Sequence, residues 1–308
     1  MGGTAQMSIR EGGRPLGRYE DVGMPDGTLP VRVMMRRTGR ESIGCDFHWH
    51  EELEFYYVAQ GGVLLLCGGR RQWVRAGEAG FVNWCQLHRG VEFLENTCHY
   101  IIQISPRLFA EETILPPGAK APCSYLSFLI AQGNRAPLPF SDAPALTGAL
   151  RELIRLWETD GPAARLERKA AVWNLLAALA NGLIAEAGEG GAPDAAADLL
   201  SLAHVRSLLL FLSSSYQEPE LVALPALSRR FGLSVPYLCR IFRQHTGMTI
   251  VSYLQELRCA QAAALIQEGT SLRRAAELSG FQDYNYFSRI FKKHTGRSPL
   301  SLTKEGRS

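Results

Sequence analysis

The C-terminal third of this sequence contains the same short pattern twice. The stretch YLCRIFRQHTG begins at Tyr237, and YFSRIFKKHTG begins at Tyr286. In the first copy Leu238, Ile241 and Phe242 fall at positions i, i+3 and i+4, so they lie on one face of a helix. The second copy keeps this spacing, and in both copies basic side chains occupy the opposite face. The repeat therefore predicts two helices, each with an apolar back and a basic front.

A short helical segment and a tight turn precede each copy. Gly232 and Gly280 provide the turns, because glycine adopts backbone conformations that other residues avoid. Ser234 and Asp283 stand where an N-cap is needed to satisfy the first N–H groups of the next helix. Pro236 is tolerated because the first turn of a helix does not use its N–H group. The pattern is helix, turn, helix, and it occurs twice.

The segment between the two copies has an apolar stripe of helical period. It runs as IVSYLQELRCAQAAALIQEG from Ile250 to Gly269 and predicts one long helix that joins the two motifs. Two motifs on one rigid helix can enter successive major-groove segments, which lie about 34 Å apart on one face of DNA. The C-terminal region is therefore predicted to be all-α.

Charge is distributed unevenly along the chain, whose net charge is +3. From residue 200 to the C-terminus there are 14 Lys and Arg against 7 Asp and Glu, a net charge of +7, which leaves −4 for residues 1–199. A basic segment of this kind is typical of a phosphate-binding module, although a solvated basic surface without a partner has the same composition.

The pattern of apolar and polar residues changes along the rest of the chain. Short β-rich runs such as ELEFYYVA, VLLLC and HYIIQIS are separated by Gly-containing turns and predict a compact antiparallel β unit. Helical periodicity follows, and a stretch rich in Gly, Ala and Pro then predicts a linker. The predicted regions are a flexible arm (1–30), the β domain (31–140), two amphipathic helices (141–185), the linker (186–198) and the helical domain (199–308).

Composition excludes several classes of protein. A sequence that is 46% hydrophobic and 20% charged is typical of a globular protein and excludes a disordered chain. No run of about 18 apolar residues predicts a membrane span, and the N-terminal segment lacks the apolar core of a secretory signal, so we expect a cytoplasmic protein. The seven cysteines are scattered and odd in number, which predicts reduced thiols rather than a disulfide framework.

The doubled motif carries a family resemblance. Residues from about 200 to 300, and above all AAELSGFQDYNYFSRIFKKHTGRSP from Ala275 to Pro299, resemble the DNA-binding domain of AraC/XylS-type transcription regulators. The sequence departs from the family at Leu302 and Thr303, where a Tyr-Arg pair is common, and this affects the last packing contact of the domain. The resemblance implies double-stranded promoter DNA as a partner, and RNA polymerase as a second partner if the protein is an activator.

The resemblance also implies roles for side chains on the two predicted recognition helices. The positions that it assigns to base reading are Pro236, Cys239, Arg240, Tyr284, Asn285, Ser288 and Arg289. The chemistry agrees, because Arg pairs bidentately with guanine and Asn with adenine. The long polar side chains that we expect on phosphates are Arg243, Gln244, Lys292 and Lys293.

The β unit carries a second resemblance, in the stretch GCDFHWHEELEFYYVAQGG. His48, His50 and Glu54, followed by Gly61, are similar to the first motif of the cupin barrel, and His88 stands where the second cupin motif has a histidine. Three imidazoles and one carboxylate are a sensible ligand set for Fe(II), Mn(II), Ni(II) or Zn(II). The fold class implied for the whole chain is α+β, with a cupin-like β-barrel and helices followed by the helical domain.

Two interpretations of the histidines stay open. In cupin domains attached to this kind of DNA-binding domain the barrel commonly binds an effector without a metal, so no cofactor is required, and a divalent transition metal is the alternative. The expected pocket residues are His48, His50, Glu54, Tyr57, Trp84 and His88, with Phe55 beside them. Such a pocket suits a carbohydrate or an aromatic acid. We expect Trp49 and Tyr56 on the opposite face, packed against helices.

The sequence as a whole predicts a ligand-responsive transcription regulator that is not an enzyme. The resemblance implies that activation is the more usual outcome and that the helices of residues 141–185 form a homodimer interface, although they can also merely cap the barrel. The alternatives are a cupin metalloenzyme with an accessory helical domain, and a constitutive DNA-binding protein whose barrel is a scaffold. The doubled basic motif argues against the enzyme and does not separate the regulator from the scaffold.

Overall fold

The structure is a computed structural model. It describes residues 18–24, 29–39, 48–68, 70–117, 121–132, 144–187, 195–295 and 298–305. Most of the predicted N-terminal arm and the centre of the predicted linker, residues 188–194, lie outside these ranges.

The N-terminal half forms two sheets. The strands are β1 (Arg18–Tyr19), β2 (Val31–Thr38), β3 (His48–Trp49), β4 (Leu53–Gln60), β5 (Gly62–Cys67), β6 (Arg70–Arg75), β7 (Ala79–Val82), β8 (His88–Phe93), β9 (Thr97–Ile104), β10 (Thr113–Ile114) and β11 (Cys123–Ser124). One sheet has the order β1-β3-β8-β5-β6 and the other the order β2-β9-β4-β7, while β10 and β11 form a separate pair. Among the described strands only β1 and β3 pair in parallel.

The two sheets enclose an apolar core. Its members alternate along their strands with side chains on the other face of each sheet, several of which pack against helices. The core residues are Tyr56, Val58, Val63, Leu65, Cys67, Val74 and Val82, with Phe93 and Ile101 packed against them. This architecture confirms the predicted β-barrel.

The prediction of a flexible arm over residues 1–30 is wrong for the C-terminal part of that segment. Arg18 and Tyr19 pair with β3, and the Glu20 N–H donates to the Trp49 carbonyl oxygen at 2.9 Å. Val22 is 3% exposed. The edge of β3 has backbone groups that need partners, and the chain before residue 24 supplies them.

The helices follow in chain order. They are α1 (Tyr125–Gln132), α2 (Pro144–Trp157), α3 (Ala164–Ala187), α4 (Ala195–Ser215), α5 (Leu224–Phe231), α6 (Val235–Thr246), α7 (Ile250–Gln267), α8 (Leu272–Leu278), α9 (Tyr284–Thr295) and α10 (Pro299–Glu305). No helix among the described residues is long and apolar enough to cross a membrane.

Helices α2 and α3 are the two amphipathic helices that the periodicity predicts. Their buried residues, among them Leu150 and Leu175, share a core with Leu53, Phe55 and Ile102 of the four-stranded sheet. Helix α4 begins at Ala195, inside the segment 186–198 predicted as a linker. The run of alanines there favours helix over an extended linker.

The helix-turn-helix pattern is confirmed in both copies. Helices α5 and α6 form the first motif and α8 and α9 the second, joined by α7, which is about 27 Å long at 1.5 Å per residue. The Ser234 side chain accepts from the Tyr237 N–H at 3.4 Å, and Asp283 accepts from the Tyr286 N–H at 2.6 Å. Leu302 packs on the core of the second motif, so the last packing contact is made despite the departure from the family pattern.

The first motif shares its core with the β-barrel. Trp49, Cys85 and Leu87 belong to one buried cluster together with residues of α4, α5, α6 and α7, including Leu202 and Tyr253. The sequence predicted two regions joined by a linker and did not predict this common core.

Candidate functional site

Three buried histidines meet between the two sheets. His48 lies on β3, His50 follows it, and His88 begins β8 directly opposite His48. They are 7%, 2% and 0% exposed, respectively. One ring nitrogen from each lies within 4.8 Å of the others. The predicted histidine set is therefore brought together in one cluster.

Glu54 of β4 lies against two of these rings. Its Oε2 is 3.2 Å from His50 Nε2, its Oε1 is 3.2 Å from His88 Nε2, and the Gln103 amide donates to Oε2 at 2.6 Å. Burial favours the neutral acid, but the charge of His88 and the hydrogen bond and charge of His50 outweigh it and hold the pKa of Glu54 well below its usual range. Burial likewise opposes protonation of His50, but Glu54 raises the pKa of His50 above its usual value.

The other nitrogens of the rings fix their orientation. His50 Nδ1 is 3.1 Å from the Glu52 carbonyl oxygen, and His88 Nδ1 is 2.9 Å from the Gln86 carbonyl oxygen. A carbonyl only accepts, so each Nδ1 carries a proton. The Nε2 atom of His88 therefore faces the cluster and Glu54.

Two atoms of the cluster are buried without a hydrogen bond. These are His88 Nε2 and Glu54 Oε1, which approach each other but lack hydrogen-bond geometry and have no other partner among the described residues. An unsatisfied buried acceptor is costly. The donor set and these two atoms fit a divalent transition metal, which binds imidazole nitrogen at about 2.0–2.1 Å.

Two of the six predicted pocket residues, Tyr57 and Trp84, lie outside the histidine cluster. Tyr57 and Phe55 face the core formed with α1, α2 and α3, on the side of β4 opposite to Glu54. Side chains alternate along a strand, so Tyr56 shares the face of Glu54, and the predicted assignment of this tyrosine to the outer face is wrong. Trp84 packs in the core shared with the first helix-turn-helix motif.

The structure adds partners that the sequence did not predict. Gln103 stands directly opposite Glu54 in the register of β4 and β9, and Glu20 Oε2 lies 3.1 Å from His48 Nε2. A buried polar residue in the otherwise apolar run HYIIQIS is a signal for Gln103. No local pattern indicates Glu20, because its position depends on the pairing of β1 with β3.

The predicted DNA-binding side chains lie on the solvent side of α6 and α9. Those that are exposed are Pro236, Arg240, Arg243, Gln244, Asn285, Arg289, Lys292 and Lys293, whereas those that are half-buried are Cys239, Tyr284 and Ser288. The Arg240 guanidinium lies 5.0 Å from the Tyr237 ring centroid, over a neighbouring turn of α6. Base reading by these residues stays a prediction.

The two recognition helices are supported differently. His245 near the end of α6 is buried, and its Nε2 lies 2.8 Å from Ser201 Oγ of α4. Burial lowers the pKa of His245 to about 4, with a further contribution from Arg240. The equivalent His294 of α9 lies 2.8 Å from the Glu256 carboxylate of α7. The first recognition helix thus contacts α4 through a neutral hydrogen bond, and the second contacts α7 through an ionisable pair.

Comparison with known proteins identifies both halves of the chain. Residues 36–176 match the family described as AraC-like ligand binding domain, and residues 227–305 match a helix-turn-helix domain family. Over 103 residues the chain is 31% identical to the "Probable transcription factor PqrA" of Proteus vulgaris, which covers 33% of this chain and 84% of that protein. The chain belongs to the AraC family of transcription regulators.

Other relatives of this AraC-family chain match over smaller shares of their length. It is 38% identical over 99 residues to the "HTH-type transcriptional activator RhaS" of Pectobacterium carotovorum subsp. carotovorum, covering 32% of this chain and 35% of that protein. The chain therefore matches about a third of the length of that curated relative. Among solved structures, ToxT from Vibrio cholerae aligns with a TM-score of 0.46 at 10% identity, over 90% of this chain and 97% of that one.

The family matches coincide with the two candidate sites. The histidine cluster lies within the part of this AraC-family chain that matches the ligand-binding domain, apart from Glu20. Helices α6 and α9 lie within the helix-turn-helix match.

Proposed function

We propose that this protein is a ligand-responsive, sequence-specific transcription regulator. Helices α6 and α9 bind promoter DNA, and the histidine cluster binds the ligand that controls this binding. The observation that carries the proposal is that two histidines of the cluster, His48 on β3 and His50 directly after it, flank a tryptophan of the core shared with the first DNA-binding motif. Some of the relatives are named transcriptional activators, which supports activation rather than repression of transcription, with RNA polymerase as a further partner.

Alternation along β3 connects the two sites. His48 and His50 point into the cluster, while Trp49 between them is fully buried in the shared core. The segment before β8 repeats the arrangement, since Leu87 lies in the shared core and His88 in the cluster. A ligand that moves the histidines therefore moves side chains packed on α4, α6 and α7.

Two further contacts join the barrel to the first motif. Glu51, next to His50, forms an ion pair with Arg206 of α4. Gly247, which ends α6, lies against the backbone of Gly68 in the turn after β5. For regulation, the ligand must bind one arrangement of these contacts better than another, and a coupling of about 1–3 kcal/mol is sufficient.

The ligand that the cluster fits best is a divalent transition metal. His48, His50 and His88 would hold it, with Glu54 as the adjacent carboxylate, and the unsatisfied His88 Nε2 supports this choice. A bound metal supplies a positive charge that keeps the imidazoles neutral and fixes their positions. A sugar or an aromatic acid is the second candidate, because Glu54, Gln103 and the rings offer acceptors and donors.

The proposal includes a homodimer without catalytic activity, acting in the cytoplasm where promoter DNA is found. Helix α3 supports the dimer, because Leu166 and Trp173 are apolar and yet 71% and 37% exposed. Ala170 and Ala177 lie on the same side of this helix, so the four residues form one exposed apolar face. The molecular mass of the purified protein from sedimentation tests the dimer. Incubation of the metal-loaded protein with sugars and aromatic acids, in which we expect no product, tests the lack of catalysis.

The experiment selects duplexes that the full-length protein binds from a random-sequence library, and then measures the Kd of a selected duplex. Metal content and Kd are determined before and after chelation and after return of Zn(II). We expect one metal per chain and a 5- to 150-fold change in Kd on chelation, which corresponds to about 1–3 kcal/mol. His88→Gln removes both effects. The matched control is His99→Gln, because His99 is another buried histidine of the barrel that stacks on Tyr56 outside the cluster.

Each part of the proposal has its own contradictory outcome. If no sequence is enriched over random DNA, the protein is not a sequence-specific regulator. If sequences are enriched but the Kd responds neither to metal nor to a panel of sugars and aromatic acids, the barrel is a scaffold.

A further inference from the structure

We infer that the barrel itself contacts the DNA backbone, through Arg71 and Arg75 of β6 beside the first recognition helix. The inference rests on the proposed DNA-binding function and adds a second, sequence-independent contact surface to it. We call this surface the β6 strip, formed by Arg71, Trp73 and Arg75.

The β6 strip lies on the face of the five-stranded sheet that packs on the helical domain. Directly opposite residues of paired strands share a face, and Leu66 of β5 stands opposite Arg71. Leu66 packs against the core shared with the first motif. Trp73 and Arg75 follow Arg71 at intervals of two residues and therefore lie on the same face.

The strip begins close to the end of the first recognition helix. The turn that joins β5 to β6 touches α6, because a β-carbon on Gly247 would overlap the Gly68 backbone. Arg70 pairs with Cys67 across this turn, so Arg71 is the second residue of β6 after the turn. Arg243, a predicted phosphate contact, is one helical turn of about 5.4 Å before Gly247. Since the phosphates of one strand advance about 3.4 Å along the axis for each nucleotide, the same backbone can pass both arginines.

The charges of the strip are not neutralised within the protein. Arg71 and Arg75 are exposed, and neither forms an ion pair with a carboxylate of the described residues. The Arg75 guanidinium lies 5.8 Å from the centroid of the Trp73 ring, and the Glu78 carboxylate accepts only from the backbone N–H of Arg75. Glu92 of β8 is the exposed acid on this face, opposite Leu64.

A polyanion next to α6 is the partner that this arrangement favours. The strip extends the positive surface of Arg240 and Arg243 onto the part of the chain, residues 1–199, whose net charge is −4. Exposed arginines beside a recognition helix attract the phosphate backbone without reading sequence.

The test compares two double variants of the full-length protein. Arg71→Ala with Arg75→Ala removes the strip. Arg36→Ala with Arg37→Ala removes the same charge from β2, an exposed edge strand of the other sheet. The probe is a duplex of about 30 base pairs and arbitrary sequence, long enough for two major-groove segments about 34 Å apart. Its Kd is measured between about 50 and 200 mM KCl.

We expect the slope of log K against log salt to fall by about 0.9 for each phosphate that the protein no longer neutralises, so by nearly 2 for the strip variant, and to stay unchanged for the control. An equal slope in the strip variant and the wild type would overturn the inference, as would an equal decrease in both double variants. Arg243→Ala separates this failure from that of the proposed function. If Arg243→Ala lowers the slope and the strip variant does not, α6 binds DNA and only the strip fails, whereas absence of measurable binding by the wild type contradicts the proposed function.

Discussion

At the scale of the residue, we expect neighbouring basic side chains on one helix to have different tasks. Arg289 and Lys292 lie three residues apart on the exposed side of α9. Arginine presents a planar fork that fits guanine O6 and N7, whereas lysine is a point charge that suits a phosphate. Their positions alone do not distinguish these tasks, but their chemistry does.

Arg289→Ala is therefore expected to cost about 1–3 kcal/mol of binding to a selected duplex and to relax preference at one base pair. Lys292→Ala is expected to weaken binding to all duplexes and to reduce the salt slope by about 1. Kd values for the selected duplex, its single-base variants and a scrambled duplex test both. Equal weakening of specific and scrambled binding by Arg289→Ala would show that Arg289 does not read a base.

At the scale of the element, two helices end on a left-handed glycine in different surroundings. Gly232 ends α5 with φ +65°, and Gly247 ends α6 with φ +78°. A side chain at Gly232 would meet no atom within 4 Å, whereas one at Gly247 would overlap the Gly68 backbone. The first position thus needs glycine for its conformation alone, and the second also for the contact between α6 and the barrel.

The two glycines form a matched pair for measuring that contact. Gly232→Ala should lower the free energy of unfolding by about 1–2 kcal/mol, the cost of a left-handed alanine. Gly247→Ala carries this cost and also forces α6 away from the turn after β5, so the decrease should be larger. Urea unfolding of both variants measures the difference. Equal decreases would mean that α6 does not rest on the barrel in solution.

At the scale of the whole molecule, the strand that carries His48 and the first helix-turn-helix motif share a buried boundary. Trp49 lies at this boundary, fully buried with Leu202 and Tyr253, between two histidines of the cluster. Interfaces of this kind have few discrete packing arrangements, so a small shift at one site changes the other.

Trp49→Phe tests this route. The phenyl ring keeps the core apolar but is smaller than the indole, so it leaves a cavity at the boundary. Metal should therefore still bind, but metal binding should no longer change the Kd for DNA. Trp157→Phe, at the end of α2 and packed against the other core, is the control and should keep the full effect. Metal titrations followed by DNA binding measure both steps. An unchanged metal effect in Trp49→Phe would exclude coupling through this side chain.

The parts of this fold that follow from local pattern were predictable. The repeated i, i+3, i+4 spacing placed both recognition helices, and the caps at Ser234 and Asp283 are confirmed because capping involves groups three residues apart. The grouping of the histidines was also accessible from the motif around His48 and His50. These signals lie within one turn or one strand.

The faces of the barrel and its contacts with the helices required the folded chain. Tyr57 was placed in the pocket although the two-residue period of β4 puts it on the side opposite to Glu54. Glu20 reaches the cluster only through the pairing of the edge strand β1 with β3, and Trp49 meets Tyr253 across some two hundred residues of sequence. Local periodicity carries the identity of helices and strands, whereas contacts between distant segments depend on how their surfaces pack, which no short stretch of sequence encodes.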